Sequence, residues 1–276
     1  MSVAANTAHV RPLTHGQRVF RWRLAFLAAV VLLLELYGWY GADPTAWVPV
    51  SKIMHSLYKD VLSDSKIVTA LGWCVMQITV AYVLSIIFGV LIGLAAGSTN
   101  FNRRTLFPII LILYVIPQVS FLPLLVLSFG LGSAAKIAFG FSHAVFPIII
   151  NVVSGMRSVR ELHLNAARSM GASRFDTIRH VILPHMVPSL FNGLRLGMTL
   201  NLLGVILAEL YVSTSGVGYY TKLFAEDFNP GPLFALIGSL AFIAIVFNEL
   251  VRIAEHRLTP GKHKQTAIKT KKAEQP

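Results

Sequence analysis

The sequence predicts an all-α integral membrane protein with six transmembrane helices and both termini in the cytoplasm. Three observations carry that expectation. The 276 residues are 55% hydrophobic and only 13% charged, against about 25% charged in a typical soluble domain. Apolar windows long enough to cross a hydrocarbon core, roughly 20 residues each, recur along the chain. Basic residues fall at alternate ends of those windows, as they do in cytoplasmic loops. They are four arginines from Arg11 to Arg23, then Arg103 and Arg104, five arginines from Arg157 to Arg179, and seven basic residues from Arg252 to Lys272.

The spans are expected at about 22–41, 67–97, 105–128, 134–156, 185–212 and 232–253, within a membrane domain of residues 22–258. Residues 1–21 form a cytoplasmic lead segment. The first apolar run, Leu24 to Tyr40, is longer than a signal-peptide core and is followed by Asp43-Pro44, so it reads as a retained span. The loop 41–66 balances Asp43, Asp60 and Asp64 against three lysines and belongs outside. The second span carries Gly89, Gly93 and Gly97, a spacing that lets one helix face approach a neighbour's backbone. Its Cys74 is the one cysteine, so no intramolecular disulfide forms. Pro117 and Pro123 interrupt the third span, because proline frees a carbonyl and kinks a helix.

After the fourth span, residues 157–184 are polar and, by charge, cytoplasmic. Ser173 and Asp176 fit a capping box, so a helix should start at Arg174 and run toward Leu183. Gly171 can end a preceding helix, about 162–170, in a left-handed cap. The second helix should lead into the fifth span through Pro184. Ala166 and Ala167 allow close approach to another protein surface. A helix lying on lipid headgroups is the competing reading, and its apolar face looks too poor for that.

On the fifth span, Gly193, Gly197, Asn201, Gly204 and Ala208 share one side at 100° per residue. Asn192, Arg195, Thr199 and Glu209 fall in roughly a 100° arc on the other. Arg195 and Glu209 stand roughly 21 Å apart along the axis, too far to pair. Snorkelling suits Arg195; for Glu209, a carboxylate at the path or its gate is an equal alternative. The loop 213–231 carries Glu226 and Asp227 against Lys222 and again belongs outside. The lysine-rich tail, 259–276, lacks an apolar period and reads as disordered or lipid-facing.

Several function classes drop out. The net charge of +12 comes without an aromatic-basic module, so nucleic acid is not expected. No GxxxxGK[ST], HExxH, CxxC or GxSxG motif is present. His180 and His185 are five apart without a third ligand, so no metal site is expected. The chain is therefore expected to carry no catalytic residue and no cofactor, which leaves transport or signalling. An ATP-independent secondary transporter or channel would need polar groups at several depths; the span centres are nearly bare apart from Asn201.

Asn165-Ala166-Ala167, three residues, Gly171, nine residues, then Val181-Ile182-Leu183-Pro184 resembles the Glu-Ala-Ala loop of ABC importer permeases, without a gap. The resemblance implies a coupling helix that seats in a groove on a separate ATPase. It assigns the contact to Asn165, Ala166, Ala167 and Gly171, with Arg168, Ala172, Leu183 and Pro184 completing the segment. Asn165 replaces the family's glutamate, which removes a charge-assisted contact and keeps the docking geometry.

Residues 117–137, PQVSFLPLLVLSFGLGSAAKI, and 208–220, AELYVSTSGVGYY, resemble the nitrate, sulfonate and taurine permease group. Together the likeness covers about residues 65–258. It implies a type I ABC importer permease bundle in a bacterial inner membrane. The expected partners are a second permease copy or paralogue, two ATPase subunits that hold ATP and Mg, and a periplasmic or lipid-anchored solute-binding protein. The substrates implied are nitrate, sulfonates, taurine, aromatic carboxylates, or vitamin and pyrimidine precursors. Candidate path or gate residues are Glu209, Asn201, Thr199, Arg195, Pro117 and Phe121, and Lys136 and Arg195 are the basic groups an anion would favour.

Overall fold

The computed structural model describes residues 15–41, 43–212 and 215–258, and these contain helices but no strand. Residues 1–14, Ala42, Ser213, Thr214 and the tail 259–276 lie outside the described residues. In chain order the helices are α1 (His15–Tyr40), α2 (Val50–Ser56), α3 (Ser65–Gly97), α4 (Asn100–Val115), α5 (Leu122–Phe129), α6 (Ser133–Arg157), α7 (Glu161–Ser169), α8 (Arg174–Thr177), α9 (Leu183–Val212), α10 (Val217–Glu226) and α11 (Pro230–Leu258).

Four stretches are long and apolar enough to cross a membrane: Ser65–Gly97, Ser133–Arg157, Phe175–Val212 and Pro230–Arg257. A fifth arises if α4 and the following Gln118–Phe129 count as one broken span, for the two are bent by 83°. Of the two prolines expected to interrupt the third span, 105–128, Pro117 stands at this bend. Ile116 leaves the helical region at φ −60°, ψ 130°, as a residue before proline tends to. Pro123, by contrast, lies in the first turn of α5, where its missing N–H costs nothing, and no break follows.

The chain stays helical through Pro184 from Arg174 onward, passing one wide π turn at Ile178–Ile182. The Leu183 N–H reaches back five residues to the Ile178 carbonyl, which shifts the ladder just where the proline ring would collide with it. The loops 41–66 and 213–231 are partly helical as well. Residues 41–66 hold α2 and a π turn at Leu57–Leu62, and 213–231 holds α10.

α2 is fastened to α1 by one carboxylate. Glu35 accepts from the Ser51 N–H at 3.0 Å, the Ser51 hydroxyl at 2.6 Å and the Trp39 indole at 2.9 Å, placing negative charge at the start of α2. Trp47 packs on Phe234 of α11 with ring centroids 4.5 Å apart.

α6 is the central helix, packed chiefly on α9 and α3. In lipid, apolar burial between helices contributes little, so close packing and interhelical hydrogen bonds must hold the bundle. The glycines supply the first. A Cβ on Gly89 or Gly93 would come within 2.8 Å of Ile148 or 2.7 Å of Val152, side chains of α6. On α9, a Cβ on Gly193 would stand 2.6 Å from Asn151 and one on Gly197 3.0 Å from Ile148. For the second, Asn201 donates to the Ile78 carbonyl at 2.8 Å and the Tyr82 hydroxyl to the Leu194 carbonyl at 2.9 Å. The outward faces carry exposed Trp22, Phe26, Leu91, Leu127 and Phe242, suited to a lipid surround.

Candidate coupling hinge and polar pocket

α7 ends as its sequence demands. Gly171 adopts φ +77° with open space where a Cβ would stand. The Ala172 N–H bonds the Ala167 carbonyl at 3.0 Å, and the Gly171 N–H bonds the Arg168 carbonyl at 2.9 Å. This pair of bonds across a left-handed residue is a Schellman cap. Two residues on, the Ser173 hydroxyl accepts the Asp176 N–H at 3.1 Å and donates to its carboxylate at 2.5 Å, so α8 starts at Arg174 as the capping box requires. Asp176 is held below the usual range for an aspartate, first by that Ser173 hydroxyl. The segment is a short helix, α7, joined by a fixed glycine turn to the start of the helical run that continues into α9.

The two alanines part company. Ala167 is buried against the rest of the chain, whereas Ala166 is exposed together with Asn165, Arg168 and Gly171; Ala172 is half-buried. Asn165 and Arg168 line a cavity of about 580 Å³, shared with Arg103, Arg157 and Glu161. Leu183 and Pro184 are exposed on the far helix. Leu162 and Met170 flank Ala166 at four-residue steps, and both are strongly exposed, as is Phe175. The outward apolar stripe is fuller than the composition of the segment suggests. The i, i+4, i+8 spacing of Leu162, Ala166 and Met170 was the signal available for it.

Glu209 is placed away from the other polar residues of its arc. It is 1% exposed because α10 and the start of α6 cover the end of α9. Lys136 Nζ stands 3.5 Å from Glu209 Oε1 and 3.2 Å from the Ser215 carbonyl. Glu209 Oε2 accepts the Gly218 N–H at 3.0 Å. Gly216 and Gly218 are required here: a Cβ on either would meet Glu209, at 2.8 Å from Oε1 or 2.5 Å from Cβ. The pair sits in a pocket of about 480 Å³ whose wall includes Gln77, Ser133, Lys66 and Tyr220.

Arg195 does not snorkel alone; it is ion-paired with Glu255 of α11. With Thr199 it lines a separate groove of about 490 Å³, beside Asn151, Asn192 and Asn248. Asn201 is fully buried at the junction of α3, α6 and α9. Pro117 and Phe121 bound the short turn at the bend between α4 and α5. The six candidate path residues are therefore brought to four different places. Sequence reasoning missed the buried Gln77, Ser85 and His143; a glutamine inside an otherwise apolar run was the readable sign of the first.

Comparison with known proteins adds an independent finding. A family model described as "Binding-protein-dependent transport system inner membrane component" matches residues 85–260. A taurine transport system permease protein of Escherichia coli (strain K12) is 32% identical over 67% of this chain and 67% of that protein. A nitrate import permease protein of Leptolyngbya laminosa is 26% identical over 77% of this chain and 76% of that one. Among solved structures, a chain of the MetNI methionine ABC transporter in an inward-facing conformation aligns with a TM-score of 0.56 at 21% identity. It covers 71% of this chain and 98% of that chain, and it shares the fold.

Proposed function

The chain belongs to the binding-protein-dependent transport system inner membrane components, and from that premise we propose how its parts divide the work. It is the transmembrane permease subunit of an ABC importer, working with a solute-binding protein and with ATP hydrolysis in a separate ATPase subunit. Counting α1 as the first crossing and α4 with α5 as the third gives six crossings with both termini in the cytoplasm, 22–258 being the membrane domain. The membrane is the inner membrane of a bacterium. The chain pairs with a second copy or a paralogue, and two ATPase subunits hold the ATP and Mg.

The observation that carries the coupling role is the Gly171 hinge, which holds α7 in one orientation while leaving its Leu162–Ala166–Met170 stripe uncovered. That stripe is the surface offered to the ATPase. Asn165 and Arg168 flank it at the basic cavity, and Leu183 and Pro184 carry displacement into α9. The solute is a small anion of the nitrate, sulfonate or taurine kind, an aromatic carboxylate or a vitamin precursor. It passes Arg195 and Thr199, Glu209 acts at one end, and Pro117 and Phe121 form the bend beside the path.

The test is co-purification and uptake. Wild-type permease should bring its ATPase through detergent extraction, and Ala166→Asp should release it while the permease remains monodisperse. Uptake that survives ATP depletion would overturn the ABC reading.

A further inference from the structure

We propose that the pocket between the starts of α3, α6 and α10 binds the anionic head of a small solute that also carries an N–H or O–H donor. The proposal deepens the reading above and rests on this chain conducting a solute.

Three helices begin on this pocket: Ser65 opens α3, Ser133 opens α6, and Gly216 precedes α10. Helix starts present unpaired N–H groups and partial positive charge. Asp64 caps α3 at the Lys66 N–H, and the Gly218 N–H of α10 is spent on Glu209. The start of α6 follows Gly132, which offers no side-chain cap.

Charge points the same way. Lys136 is buried in the first turn of α6, where the helix dipole disfavours a cation. The ionisable groups on the pocket wall are Lys66, Lys136 and Glu209, with Tyr220 alongside, so two cations face one carboxylate. That carboxylate is engaged by Lys136 on one oxygen and Gly218 on the other. Lys136 reaches Glu209 and the Ser215 carbonyl at 3.5 and 3.2 Å, which leaves a third ammonium hydrogen to give.

The independent observation is Gln77. It is 2% exposed, and its amide nitrogen donates to the Ser133 hydroxyl at 3.0 Å. Its Oε1 is buried on the pocket wall and accepts no hydrogen bond from the described residues. A buried acceptor without a donor is unfavourable. A ligand donor meets that need while its oxyanion meets Lys136 and the α6 start. The volume of about 480 Å³ lies within the range of small-molecule sites.

The experiment uses the complex of this permease with its ATPase in nanodiscs, without binding protein or ATP. Calorimetric titration with nitrate, ethanesulfonate and 2-aminoethanesulfonate should show binding, with the amine-bearing sulfonate preferred over ethanesulfonate. Gln77→Leu should reduce that preference about tenfold and spare ethanesulfonate. Lys136→Met/Glu209→Gln removes both buried charges together, which a fold tolerates better than removing one, and should weaken all three anions at least about tenfold. Lys66→Met, at the exposed rim, should weaken them about threefold at low salt. Absence of binding by wild type, or variants that bind as wild type does, overturns the proposal. ATP-driven uptake with unaltered binding in the variants sinks the pocket alone, and absence of uptake in proteoliposomes sinks the transport reading.

Discussion

Gly204 of α9 meets Gly140 of α6 directly: a Cβ on Gly204 would stand 3.0 Å from the Gly140 Cα and 3.2 Å from the His143 ring. The contact closes the seam that the fifth span's small face predicts, and its tolerance for added atoms is nil. A Cβ on Gly140 would lie 2.5 Å from Val205 and 2.7 Å from the Asn201 amide oxygen. Gly140→Val should therefore destabilise by at least about 1–3 kcal/mol, read as a lower thermal midpoint in detergent. Gly238→Ala on α11, with nothing within 4 Å, is the matched control. It should be neutral or stabilising by up to about 1 kcal/mol. Equal midpoints for the two variants would show that the seam is looser than described.

Glu209 satisfies two partners at once, the Lys136 ammonium and the Gly218 N–H. Glu209→Ala leaves both without it in a site almost closed to solvent. Losing one member of a buried pair costs about 3–5 kcal/mol, so this variant should express poorly or unfold early. Pairing it with Lys136→Met should recover much of the midpoint. A double variant no better than Glu209→Ala would mean that the Gly218 contact, and not the charge, dominates.

The hinge makes a narrower forecast. Because space is open around Gly171, substitution there acts on the backbone alone. Gly171→Val should cost about 1–2 kcal/mol at the turn and Gly171→Asn far less. With the valine variant the partner ATPase should still hydrolyse ATP while uptake weakens, and asparagine should behave nearly as wild type. Ser173→Ala removes the cap on Asp176 and should cost about 1 kcal/mol of local helix, visible as faster amide exchange in residues 174–178. Identical uptake in the valine and asparagine variants would remove the hinge from the coupling account.

Arg195 and Glu255 form a partly exposed pair, and exposed pairs contribute less than about 1 kcal/mol. Arg195→Gln should leave the thermal midpoint nearly unchanged. If the groove it shares with Thr199 carries solute, uptake should fall several-fold at the same protein level. Unchanged uptake would assign the pair to bundle structure.

Local rules made much of the fold readable. The Ser173–Asp176 box, Gly171 and the glycine rows each act through neighbours in sequence or one helix face, and each lies where its chemistry requires. What stayed hidden depended on contacts between distant segments. Proline alone does not say whether a helix will break: Pro117 falls at an 83° bend, while Pro184 is absorbed by a wide turn. Helical periodicity put Glu209 and Arg195 on one arc. Their surroundings differ because α10 and Lys136 close over one end of α9 and not the other. The same limit hid the bond from Asn201 to the Ile78 carbonyl, 123 residues away.

The unbroken run from Phe175 to Val212 has a mechanical meaning. At roughly 1.5 Å per residue its 38 residues make a rod of about 57 Å. The glycine seam, centred near Met198, would act as the fulcrum, leaving arms of about 33 Å toward Asp176 and about 16 Å toward Glu209. A tilt of about 10° would then carry the hinge end about 6 Å while the pocket end travels about half as far in the opposite sense. Moving so, the rod would be a reducing lever, trading a long stroke at one end for a shorter, more forceful one at the other.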